Sequence, residues 1–155
     1  MIPIDYKKLW EAVIAQFPLG EHSIHGPTHW EHVEENGLFL AQKTGADKTI
    51  VRLFAVFHDS RRENEGIDKG HGCRGADLAN EMRGMYFDLP DDALEILLYA
   101  CRHHTSKKKA PDITIGTCWD ADRLDLPRVY IQPDPRRMQT PYGRQLVKEL
   151  NGQSA

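Results

Sequence analysis

Eight histidines are spread along this chain of 155 residues, at positions 22, 25, 29, 32, 58, 71, 103 and 104. Imidazole is the commonest protein ligand for metal ions and titrates near neutral pH, so the arrangement of these residues matters more than their number. The pair His58-Asp59 is the most informative. It directly follows Leu53-Phe54-Ala55-Val56-Phe57, within the most apolar segment of the chain. Burying an imidazole and a carboxylate together costs several kcal/mol unless they are paired or bind a metal. A metal ion meets that requirement. Mixed imidazole and carboxylate donors suit Zn, Mn, Fe, Co or Ni, and suit Mg less well. A bound ion of this kind lowers the pKa of its water from 15.7 towards ~7, which is hydrolytic chemistry. The carboxylate of Asp59 can bridge two ions, which an imidazole nitrogen cannot do. Two ions ~4 Å apart clamp the attacking and leaving oxygens of a phosphoryl group.

The elements that must position these residues read as helices. Apolar residues Leu9, Trp10, Val13, Ile14 and Phe17 form a helical stripe over 5–17, ended by Pro18 and Gly20. Pro27 suits the first turn of a second helix, which runs to about Thr44. Gly45 fits its C-terminal stop and Asp47 the N-cap of the next helix. The run 50–57 is almost wholly apolar. Periodicity alone does not separate a buried helix from a buried strand there, and the Asp47 cap favours helix. Residues 62–70 read as a loop and 71–83 as a helix with Ala76, Leu78, Ala79 and Met82 inward. Pro90-Asp91-Asp92 starts a helix that carries Leu94, Leu97, Leu98 and Cys101 inward and ends at His103-His104. A basic loop at 107–111, a short helix at 116–126 and a last one at 142–150 complete the reading. The fold class is therefore all-α, a compact single-domain bundle of about seven helices.

Bulk properties agree. About 150 residues can bury roughly 70% of the unfolded surface without disulfides. The net charge of -3 provides no basic field for a nucleic acid polymer. No apolar run approaches the ~20 residues of a membrane span, and no basic segment precedes an apolar one near Met1, so neither a membrane nor a secretory signal is expected. Cys73, Cys101 and Cys118 are odd in number and form no CxxC, which reads as buried thiols in a reducing cytoplasm. The sequence sets no oligomeric state.

Four stretches, in order, resemble the HD superfamily of metal-dependent phosphohydrolases. They are His29-Trp30-Glu31-His32-Val33, Phe57-His58-Asp59, His103-His104 and Ala121-Asp122-Arg123-Leu124. The resemblance covers a core of about 25–126 and leaves 127–155 as a C-terminal extension of a single domain, 1–155. It implies an all-α fold, with 50–57 as helix. It implies that His29, His58, Asp59 and Asp122 bind a first metal, and that His71 and His103 bind a second with Asp59 bridging. His25 and His104 fall where some members place a further metal ligand or a partner of one. Asp120 competes with Asp122. Two residues apart on a helix they diverge, and the family pattern selects Asp122. His22 and His32 are expected at the surface or beside a ligand.

The same resemblance implies hydrolysis of a small phosphorylated substrate, a nucleotide or similar metabolite, with His58 and Asp59 at the catalytic centre. Among the flanking cations Arg61, Arg62 and 107–109, Arg62 and Lys107 are the expected phosphate-binding residues. The GYP signature of the cyclic-di-GMP branch is absent. Arg62 stands where one nucleotidase branch has Glu, and Thr105 where some relatives have an acid. Two other readings remain, a di-iron oxygenase of the same superfamily and a non-catalytic metal-bearing regulatory module.

Overall fold

The computed structural model describes residues 3–152. The sequence reading of the N-terminus rests partly on residues 1 and 2, which lie outside the described residues. Seven α-helices follow one another: α1 (Tyr6–Ala15), α2 (Pro27–Thr44), α3 (Lys48–Phe57), α4 (His71–Met82), α5 (Asp91–His103), α6 (Ile113–Arg123) and α7 (Pro141–Leu150). Two 3-10 turns, Leu126–Val129 and Pro135–Arg137, lie between α6 and α7. Among the described residues there is no strand, only an isolated bridge between Arg83 and Phe87. No helix among them is long and apolar enough to cross a membrane.

Local signals account for the boundaries. Asp5, Asp47, Asp112 and Thr140 each cap a helix by accepting a backbone N–H of its first turn. Gly45 ends α2 in the left-handed conformation at φ 75°, where an L side chain would be strained. Helix α6 begins at Ile113, three residues before the expected Gly116, because Asp112 supplies the cap. Ile14, expected inside, is 40% exposed, since α1 touches the bundle through Leu9 and Val13. Cys101 and Cys118 are buried, but Cys73 is exposed on the outer face of α4.

Helix α3 is the axis of the bundle. It packs against α1, α2, α4, α5 and α6. Leu53, Phe54, Ala55, Val56 and Phe57 are all fully buried. Burial of each large side chain contributes roughly 1.5–3 kcal/mol, so this helix anchors the core and holds its C-terminal end rigidly. That end carries His58 and Asp59. Helix α4 comes close to its neighbours through two glycines, to α5 at Gly72 and to this end of α3 at Gly75. A Cβ on Gly72 would sit 2.5 Å from the Cys101 carbonyl oxygen, and one on Gly75 would collide with the Phe57 carbonyl oxygen. Both obstacles are backbone, so neither can swing away. Gly75→Ala is expected to destabilise the fold by about 1–3 kcal/mol, read as a drop in melting temperature. An unchanged melting temperature would show that α4 and α3 can part without cost.

The C-terminal residues are fastened to the bundle by Asp120. Its carboxylate is fully buried and accepts from Gln139 N (2.6 Å), Thr140 N (2.9 Å) and Thr140 Oγ1 (2.7 Å). Helix α7 then packs against α2.

Candidate metal centre

Five helices contribute to one buried cluster. His29 comes from the first turn of α2, and His58 and Asp59 from the end of α3. His71 is the first residue of α4, His104 follows α5, and Asp122 lies near the end of α6. His29, His58, Asp59, His71 and His104 are each at most 4% exposed.

Asp59 stands between two sets of histidines. Its Oδ2 is 3.4 Å from His29 Nε2 and 3.5 Å from His58 Nε2. Its Oδ1 is 3.2 Å from His71 Nε2 and 3.3 Å from His104 Nε2. Asp122 Oδ1 closes the first set, 3.0 Å from His29 Nε2 and 3.4 Å from His58 Nε2. Donors about 2.0–2.2 Å from one ion stand about 3 Å apart at right angles and about 3.4 Å apart at tetrahedral angles. Both triads, His29-His58-Asp59 and Asp59-His71-His104, meet that spacing.

The ring orientations make the same point. His58 Nδ1 faces the carbonyls of Phe54 (3.1 Å) and Ala55 (3.0 Å). His104 Nδ1 faces the Cys101 carbonyl at 2.7 Å, and His71 Nδ1 the Asp68 carbonyl. His29 Nδ1 faces Asp125 Oδ2 at 2.7 Å. These oxygens only accept, so each Nδ1 carries the proton and each Nε2 of a neutral ring presents a lone pair inward. Yet the Nε2 atoms of His29 and His58 are 3.1 Å apart, and those of His71 and His104 2.9 Å apart. Paired lone pairs at that distance repel unless a cation, a proton or a metal ion, lies between them. The donor set therefore fits a metal ion in each triad.

Electrostatics points the same way. Burial alone would raise the pKa of Asp59. The electrostatic pull of His58 and the close imidazoles of His104, His25 and His29 outweigh it and hold the carboxyl well below its usual range. Burial likewise opposes ionisation of Asp122, and hydrogen bonds from His29 and His58 hold it low. For His29 burial lowers the pKa, but hydrogen bonds to Asp122, Asp125 and Asp59 prevail and raise it to about 10. The buried carboxylate of Asp59 and the partly buried one of Asp122 thus remain charged and call for compensating positive charge.

The expected ligands are brought together with one exchange. His103 does not face the cluster. Its ring packs on Tyr99 at 4.5 Å between centroids and its Nδ1 is near Ser106 Oγ. Successive residues on a helix point about 100° apart, so only one of the pair can turn inward, and it is His104. Asp120 points to the C-terminal segment, away from the centre, and Asp122 points into it. His25 lies at the margin, its Nδ1 buried without a hydrogen-bond partner and 3.6 Å from Asp59 Oδ2. His22 is at the surface. Arg62 does not present its guanidinium for phosphate. Its Nη1 donates to the carbonyls of Asn64 (3.4 Å) and Gly66 (2.6 Å), which ties the loop after α3. Arg61 is paired with Glu81 at the surface. Lys107 lies in the exposed loop after α5, one recess away from the cluster.

Asp125 is the residue that sequence reasoning missed. Its Oδ2 takes His29 Nδ1 and its Oδ1 takes His32 Nδ1 at 2.9 Å. The three-residue step from Asp122, one helical turn, was the available signal. Removal of such an orienting partner typically costs 10–100-fold in metal affinity. Asp125→Asn is expected to weaken metal binding by about that factor with little change in fold, as measured by competition with a chelating dye. Unaltered affinity would show that packing alone orients the His29 ring.

A cleft of about 530 Å³ opens beside the cluster, with His104 and Asp122 at one end and Arg123, Arg137 and Met138 among its walls. A larger hollow of about 760 Å³, lined by Pro3 and Tyr86 among others, lies away from these residues.

No protein-family model matches the sequence, and no curated protein matches it. The chain is similar in structure to a crystal structure described as a predicted HD superfamily hydrolase from an uncultured Thermotogales bacterium. The TM-score is 0.74 at 24% identity, over 94% of this chain and 84% of that one. That likeness shows the fold, the all-helical arrangement expected from the four sequence stretches.

Proposed function

We propose that this protein is a metal-dependent hydrolase of the HD type that cleaves a phosphoester in a small metabolite, a nucleotide or similar compound. The observation that carries the reading is Asp59, whose two oxygens each face a separate pair of histidines, so that it belongs to two triads of imidazole and carboxylate donors. His29, His58, Asp59 and Asp122 would hold one ion, and Asp59, His71 and His104 a second. Bound there, a divalent ion supplies Lewis acidity and a strong nucleophile from water near neutral pH.

The protein's own groups do the rest. The carbonyls behind His58, His71 and His104 fix each ring before the ligand arrives, so little reorganisation is needed. The apolar body of α3 excludes water from the inner side of the centre. Arg123 lines the cleft next to Asp122, where a guanidinium can take phosphoryl oxygens in a forked geometry. The unpaired cysteines suit a reducing cytoplasm.

The test is a screen of the purified protein, supplemented in turn with Mn, Zn, Fe and Co, against a panel of phosphorylated metabolites. Phosphate release is the readout and Asp59→Ala the control. Turnover that requires the metal and Asp59 supports the reading. Oxygen consumption by the iron form without phosphate release would replace it with an oxygenase. Tight metal with neither activity would leave a regulatory module.

A further inference from the structure

The cleft at the metal centre does not end at Arg137. It continues into a recess of about 450 Å³ that shares Thr105, Arg123 and Arg137 with it and adds Ser106, Lys107, Lys108 and Arg136. Five of the seven residues lining this recess are cations and none is an acid. The chain as a whole has the opposite balance, a net charge of -3.

Several cations elsewhere on the surface are answered locally. Arg61 pairs with Glu81, Arg74 with Asp68, and Arg83 with Asp88 and Asp91. Within the recess Arg136 pairs with Asp134 at 3.0 Å, and Arg123 donates to the Arg137 carbonyl oxygen at 2.8 Å. Among the described residues, the side chains of Arg137, Lys107 and Lys108 form no ion pair. Gathering unanswered like charges in one concavity is unfavourable by itself and becomes favourable when an anion enters. The shared wall joins that anion site to the metal centre as one continuous surface.

Taking the hydrolase reading above as its basis, we propose that the substrate carries a second anionic group, and that Arg137, Lys107 and Lys108 bind it while the scissile phosphoester lies at the metal centre. The substrate class is thereby a bisphosphorylated metabolite, or one with a comparable second anionic group, rather than a simple monoester. Arg137 and the two lysines are specificity residues, contributed by the turn before α7 and the loop after α5.

The experiment compares adenosine 3′,5′-bisphosphate with adenosine 5′-monophosphate on the Mn-loaded full chain. Binding is measured by calorimetry and turnover by phosphate release. The bisphosphate is expected to bind at least about tenfold tighter. Both Arg137→Gln and the double variant Lys107→Gln/Lys108→Gln are expected to bring the two ligands within about threefold of each other. These side chains are exposed, and an unchanged melting temperature will confirm that the variants fold. Equal binding of the two ligands by the parent protein, or a preference that survives in both variants, would overturn the proposal. If the parent binds the bisphosphate preferentially but releases phosphate from neither compound, the hydrolase reading fails and the anion site stands.

Discussion

Asp59→Ala is expected to lose metal from both triads and all metal-dependent hydrolysis, while the helical circular-dichroism signal persists. The carboxylate faces four imidazole Nε2 atoms within 3.5 Å, two through each oxygen. Its loss removes one donor from each ion's set and the only group that joins the two sets. The metal-free protein is affected as well. Without Asp59, the positive charge that it shares with the histidines is left buried with less compensation. Breaking a buried pair in this way costs about 3–5 kcal/mol. The core of α3 does not depend on it, so the fold survives at a lower melting temperature. Elemental analysis and thermal melts measure both effects. Full metal content together with full activity in this variant would remove Asp59 from the centre of the scheme.

Addition of a divalent transition metal is expected to raise the melting temperature by roughly 10 °C, and a chelator to reverse it. An ion present at a thousandfold over its dissociation constant adds about 4 kcal/mol for one site. In a protein of this size each kcal/mol shifts the midpoint by about 2–4 °C. The effect has a pH dependence with a definite sign. In the metal-free protein His29 is held at about 10, above its usual 6.5, so the ring is protonated across the neutral range. This raised pKa stabilises the metal-free fold fully below about pH 6.5, and the contribution is lost as pH rises through about 10. A metal must displace that proton. Its affinity therefore weakens by up to about tenfold for each unit that pH falls, and the shift in melting temperature should be smaller at pH 6 than at pH 8. Calorimetry in buffers of different ionisation enthalpy should show proton release on binding. A melting temperature unmoved by every metal tried would reduce the cluster to a histidine-aspartate ion network.

Much of this was legible from local chemistry. Asp47, Pro27, Gly45 and Pro90 mark helix boundaries through interactions that span only a few residues, and the helices lie where these signals put them. The apolar run before His58-Asp59 identified a buried polar pair because the desolvation cost is independent of what surrounds it. The sequence by itself therefore determined the helical class, the pair at the end of α3, and the group from which its partners are drawn.

Direction was beyond its reach. His104 rather than His103 faces the centre, because the orientation of α5 against α4 at Gly72 is set by long-range packing. Arg62 turns to the carbonyls of its own loop, a bond visible only once the loop has closed. Asp125 meets His29 across 96 residues of chain. The cationic recess joins a loop after α5 to a turn before α7, segments that read separately as solvated surface. Only the tertiary structure decided these points, since each depends on where side chains from distant segments converge, and convergence is a property of packing rather than of spacing.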